Sequence, residues 1–132
     1  DRIKKTLAEA KSTAGLEDLA AGFETVFNRY LETLAVIKSL SESDKVLNAY
    51  AFSHPFLEAT GDVAIAWMLL WRAVVATPKC AEQGKDRDFY LGQVMVARFF
   101  IHSILPITGG RLKAIAKADG AAVEMPDAGF GA

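Results

Sequence analysis

Cysteine, proline and histidine are scarce here: one, four and two in 132 residues. The single thiol, Cys80, excludes an internal disulfide and any CxxC-type metal site, and it fits a reducing, cytoplasmic setting. With only His54 and His102, and no Glu-x-x-His repeat, the ligand set of a bundle di-metal centre is missing. Charge of neither sign dominates, with 15 basic against 16 acidic residues and a net charge of -1. Nucleic-acid affinity rests on neutralised phosphates, so this balance argues against a nucleic-acid partner. The longest uncharged apolar run, Val63 to Trp71, stops at Arg72. That is short of the roughly 20 residues a spanning helix needs, so no membrane span is expected. Asp1-Arg2-Ile3-Lys4-Lys5 holds no apolar signal-peptide core. A start at Asp rather than Met reads as a fragment or processed product. Neither a G-x-S-x-G elbow nor a phosphate-cradling glycine pattern is present; Gly109-Gly110-Arg111 has the wrong spacing.

What the chain does have is helix. Hydrophobic residues make up 52%, and they recur at helical spacing. Arg2 to about Lys11 reads as a first helix, ended by Ser12-Thr13-Ala14-Gly15. A second, about Leu16 to Leu40, carries the stripe Leu19, Phe23, Val26, Phe27, Tyr30, Leu34 and Ile37. Ser41 or Ser43 is a candidate N-cap for a third, about Asp44 to Thr77, bent or broken near Pro55. After the loop Pro78 to Lys85, Asp86 or Asp88 can cap a fourth helix reaching about Ala118, with Gly120 placed to stop it. Pro106 and Gly109-Gly110 predict a kink in that fourth helix. The expected architecture is all-α: an up-and-down four-helix bundle with long, kinked third and fourth helices. The expected organisation is a connecting helix over residues 1–15, the bundle over 16–120 and an extended tail over 121–132, where Phe130 is a candidate anchor.

His54-to-Ala76 and Phe89-to-Pro106 are apolar around most of their circumference. Such helices must be covered on several faces, and apolar surface left over marks contact with another domain or subunit. Trp67 and Trp71, one turn apart, read as core packing, with a ligand slot as the alternative. The polar residues inside apolar sequence are Asp62, Arg72, Arg98 and His102. Reflecting helices three and four about their loop sets Asp62 level with His102 and one turn from Arg98. An ionised carboxylate left alone in a dry seam costs several kcal/mol, so Asp62 is expected to pair with Arg98, His102 or both. The alternative has these groups facing solvent or another domain.

The string NAYAFSHPFLEATGDVAIAWMLLWRAVVA resembles a helix of the extra C-terminal domain in one branch of the acyl-CoA dehydrogenases. Its marks are Pro55-Phe56-Leu57, Gly61-Asp62-Val63, Trp67-Met68-Leu69 and Arg72. The string DFYLGQVMVARFFIHSILP is similar to the next helix, through Phe89-Tyr90, Ala97-Arg98-Phe99 and Leu105-Pro106, and a short tail follows with Met125-Pro126-Asp127 and Phe130. Thr6-Leu7-Ala8 to Gly15-Leu16 resembles the connection leaving the catalytic domain, and Gly109-Gly110 departs from the helix-favouring residues usual there.

The resemblance implies a parent flavoenzyme that oxidises an acyl-CoA thioester to the 2,3-enoyl-CoA. A glutamate takes the α-proton and FAD the hydride, both in upstream domains. No residue here inherits the base role, since Glu58 and Glu82 match no catalytic motif. The implied partners are the upstream catalytic domain, further copies in a homo-oligomer, and acyl-CoA for the parent. FAD belongs to the parent, and neither bound flavin nor activity is expected of this chain alone. The competing expectation is a freestanding helical dimerisation module.

Overall fold

The structure is a computed structural model describing residues 1–82 and 84–131. Its elements are α1 (Arg2–Lys11), α2 (Glu17–Ser41), α3 (Val46–Ala51), α4 (Ser53–Ala76), α5 (Arg87–Phe99), α6 (Leu105–Ala116) and α7 (Ala121–Glu124). A 3-10 turn follows α4 (Pro78–Ala81), a π turn joins α5 to α6 (Phe100–Ile104), and a last 3-10 turn spans Asp127–Phe130. The architecture is all-α, an up-and-down four-helix bundle of α1, α2, α4 and the bent α5–α6 rod.

Helix α4 sits at its centre, packed against α1, α2, α5 and α6. Its inward positions explain this. Ala59, Val63, Ala66, Leu70, Ala73 and Ala76 are buried, and small side chains at three- and four-residue steps let neighbours approach closely. Around them Leu7, Leu16, Leu19, Phe23, Ile101, Leu105 and Leu112 complete one core. Residues of α2 and α5–α6 advance together: Gly22 meets Ile101, Arg29 meets Gly109 and Thr33 meets Leu112. These two rods run parallel, and α4 runs antiparallel to α5–α6, as an up-and-down path requires.

The breaks have local causes. Gly15 adopts φ 86°, the left-handed region in which glycine carries no Cβ penalty, and turns the chain from α1 into α2. The third predicted helix is two: the chain breaks at Phe52, and Pro55 becomes the third residue of α4. Its missing N–H costs nothing there, because first-turn amides have no intrahelical partner. Ser41 and Ser43 mainly close α2, donating to the carbonyls of Lys38 and Leu40, while Ser43 Oγ also accepts from the Lys45 amide. Asp86 is the N-cap residue of α5, without a side-chain cap bond.

In the fourth helix the irregularity falls before the expected place. Pro106 has no N–H for the carbonyl four residues back, and the turn upstream widens into Phe100–Ile104, where the Leu105 amide bonds Phe100 O. Gly109 and Gly110 stay helical. Gly120 is left-handed, φ 90°, as its placement predicted, but it starts α7. Over its described residues the tail is not simply extended: α7 and the 3-10 turn fold it, and Phe130 is 75% exposed rather than tucked against the bundle.

Candidate functional site

Asp62 lies one helical turn beyond Glu58 on α4, facing α6. Thr108 Oγ1 donates to Asp62 Oδ2 at 2.6 Å. Arg111, one turn further along α6, sets Nη1 3.2 Å from Glu58 Oε2 and 4.0 Å from Asp62 Oδ2. His54 adds its Nε2 3.6 Å from Glu58 Oε1, on the solvent side. The expected partners of Asp62 are replaced. Arg98 and His102 are exposed, and the hydrogen bonds and ion pairs of Asp62 go to Thr108 and Arg111. The loop-centred register failed by six residues, from His102 to Thr108; the π turn adds one residue to the returning rod and turns the face that follows it, which covers only part of that offset. The signal that could have found these partners was Pro106 with the apolar spacing after it: Leu105, Thr108 and Leu112 share one inward face. Arg72 pairs with the Gln93 side chain at the loop end of the same seam.

This cluster is a fastening. Thr108 is buried and Asp62 half-buried, and the carboxylate has a donor and a nearby cation, which repays its partial desolvation. Similar ties close the other seams. Arg29 Nη1 donates to Gly109 O at 3.2 Å and Thr33 Oγ1 to Leu112 O at 3.2 Å, both from α2 to α6. Trp67 Nε1 donates to Thr6 Oγ1 at 3.0 Å, from α4 to α1. Among the described residues no group of three or more His, Cys, Asp or Glu is placed to hold a metal ion.

The outer surface is of another kind. Met68, Trp71 and Val75 on α4 are 42–48% exposed, and Phe89, Met95 and Phe99 on α5 are 61–68% exposed. Trp71, expected in the core, instead walls two grooves. One, about 310 Å³, lies between α4 and α5 against Val75, Phe89 and Tyr90; the other, about 420 Å³, lies between α4 and α1. By length and composition alone, Ser53–Ala81 and Arg87–Ala116 are long and apolar enough to cross a membrane, a test that packed core helices also pass. The shorter runs counted in the sequence understated this, since Arg72 and Arg98 interrupt the runs without lowering the average enough.

Comparison with known proteins bears on the family. Residues 1–126 match the family described as "Acetyl-CoA dehydrogenase C-terminal like". The chain is 30% identical to the butyryl-CoA dehydrogenase of Syntrophomonas wolfei over 132 residues, 98% of this chain and 21% of that protein. It is 35% identical to a broad-specificity linear acyl-CoA dehydrogenase of Mycobacterium tuberculosis over 77 residues, 57% of this chain and 13% of that protein. It thus spans about a fifth or less of the curated relatives it matches. This helical bundle, held by interhelical polar ties, belongs to the acetyl-CoA dehydrogenase C-terminal-like family.

Proposed function

We propose that this chain is the accessory C-terminal domain of an FAD-dependent acyl-CoA dehydrogenase. In this reading it is non-catalytic by itself and acts in domain or subunit packing within a homo-oligomer, while the parent oxidises acyl-CoA to 2,3-enoyl-CoA. The observation that carries the reading is the apolar outer face of α4 and α5. Met95 and Phe99 stand largely in water, a position that selection for an isolated soluble surface disfavours. No glycine lines either large groove, so neither offers the glycine-rich turn in which a dinucleotide's pyrophosphate is cradled at a helix N-terminus. FAD is therefore assigned to the upstream catalytic domain. Cys80, the lone thiol, supports a cytoplasmic setting.

The test uses the full-length polypeptide. Met95→Glu with Phe99→Glu touches side chains already exposed in the bundle, so the bundle itself is expected to tolerate the change. In the parent, the pair is expected to lower the thermal midpoint by several degrees or to dissociate the oligomer. Unchanged midpoint and unchanged oligomer would remove the packing role. A freestanding dimerisation module draws on the same face, but it leaves the family match and the length of the relatives unexplained.

A further inference from the structure

The accessible surface of this chain is 8480 Å² at a mass of 14.3 kDa. A compact monomer of that mass exposes about 6,800 Å². The excess of about 1,700 Å² is roughly what two patches of standard size, about 800 Å² each, would cover. The outer face of α5 is one such patch, and nothing in its chemistry names an occupant. The groove between α1 and α4 does more.

Its floor is Trp67, Met68 and Trp71, and α1 supplies Arg2, Lys5 and Thr6 along its edge. The polar atoms in the floor are already spent: Trp67 Nε1 donates to Thr6 Oγ1 at 3.0 Å, and Thr6 Oγ1 donates to Arg2 O at 3.2 Å. What remains open is Met68 and Trp71, 42% and 47% exposed, so the occupant must be apolar where it touches them. The edge carries two cations against one lining carboxylate, Glu9, which stands 3.9 Å from Lys5. That balance favours a carboxylate on the occupant's flank.

The matched relatives are about five times as long or longer, and in the reading above their upstream domains lead into α1, which forms the edge of this groove. Elements adjacent in sequence are usually adjacent in space, and a short tether holds a segment at millimolar effective concentration, far above any free competitor. We propose that the α1/α4 groove seats the part of the same polypeptide that precedes Asp1, an apolar segment laid over Met68 and Trp71 with an acidic residue against Arg2 and Lys5. The inference rests on the reading of this chain as the C-terminal domain of a longer dehydrogenase.

The test is photo-cross-linking in the full-length protein, with p-benzoylphenylalanine in place of Met68 and, as control, in place of the exposed Lys113. Copies labelled with ¹⁴N and ¹⁵N are mixed before irradiation, and cross-linked peptides are mapped by mass spectrometry. The Met68 probe is expected to join peptides N-terminal to Asp1 in its own copy, with yield about tenfold above the Lys113 probe. Mixed-isotope products, products within residues 1–132 only, or no product above the control would each overturn the docking. The underlying reading fails separately: it falls if the full-length protein carries no flavin and oxidises no acyl-CoA, whichever peptides the probe captures.

Discussion

Thr108 reaches from α6 to Asp62 on α4 at 2.6 Å, and this bond rather than an ion pair fixes the seam between the two helices. Arg111 stands 4.0 Å from the same oxygen and closer, 3.2 Å, to the more exposed Glu58. The buried donor should therefore outweigh the cation. Thr108→Val keeps the shape and removes the donor to a charged group, and is expected to cost about 1–2 kcal/mol, part of the full range being lost to the exposure of Asp62. Arg111→Met should cost less, on the order of 0.5 kcal/mol, as partly exposed pairs do. Urea denaturation of both variants checks the order; Arg111→Met costing more than Thr108→Val would reverse it.

Trp67 and Thr6 form the corresponding tie between α4 and α1. Trp67→Phe loses the indole donor and is expected to cost about 1 kcal/mol beyond the lost ring area. Because Thr6 Oγ1 bonds Arg2 O as well, Thr6→Val should cost a similar amount. A double-mutant cycle is the clean measure, with a coupling of about 0.5–1 kcal/mol expected for groups in direct contact. A coupling near zero would show that α1 is held by its other contacts, among them Leu7 and Ala10 in the core and Lys11 paired with Glu24 on α2.

The aromatic residues should rank by burial. Phe23 is fully buried and stacks on Phe27 at 5.7 Å, so Phe23→Ala should cost about 3–5 kcal/mol. Phe56, half-buried and stacked on Tyr30 at 5.5 Å, should cost about 2–3 kcal/mol as Phe56→Ala. Phe130, 75% exposed, should change stability by less than about 0.5 kcal/mol. Chemical denaturation orders the three, and a large loss at Phe130 would restore the anchoring role its sequence position suggested.

The sequence made the helices legible and the seams less so. Arg2–Lys11 was readable to the residue because its composition and the Ser12-to-Gly15 break agree. The α2 stripe held for Leu19, Phe23 and Val26, then slipped: Thr33 is buried and Leu34 is 41% exposed. A polar side chain that bonds Arg29 O and Leu112 O holds its buried place through a second partner 79 residues away, which periodicity cannot see. Asp62 was picked out correctly as a polar residue in an apolar helix, but its partner lay six residues beyond the one a reflection about the loop gives, past the Phe100–Ile104 turn that periodicity does not show. Trp71 was misplaced for a different reason. Apolar spacing cannot tell a face covered by its own bundle from one left open, as Trp71 is at 47% exposure.

The neighbouring glycines of α6 separate backbone preference from packing. At Gly110 a Cβ would meet nothing within 4 Å, and the residue is exposed and helical. Gly110→Ala removes the entropic cost of glycine in a helix and is expected to stabilise by about 0.5–1 kcal/mol. At Gly109 the same atom would stand 3.3 Å from Val26 Cγ2 and 3.4 Å from Arg29 Nη1. The Arg29 group also donates to Gly109 O at 3.2 Å, so a branched side chain here both pushes α2 away and strains that bond. Gly109→Val is expected to destabilise by about 2 kcal/mol or more, since overpacking a tight seam forces backbone shifts. Gly109→Ala should fall between them, near zero, because its helix gain offsets a contact tight by a few tenths of an ångström. Thermal unfolding of the three variants tests the close approach of α2 and α6. If Gly109→Val were as stable as Gly110→Ala, these helices could not lie as near as Arg29 and Gly109 place them.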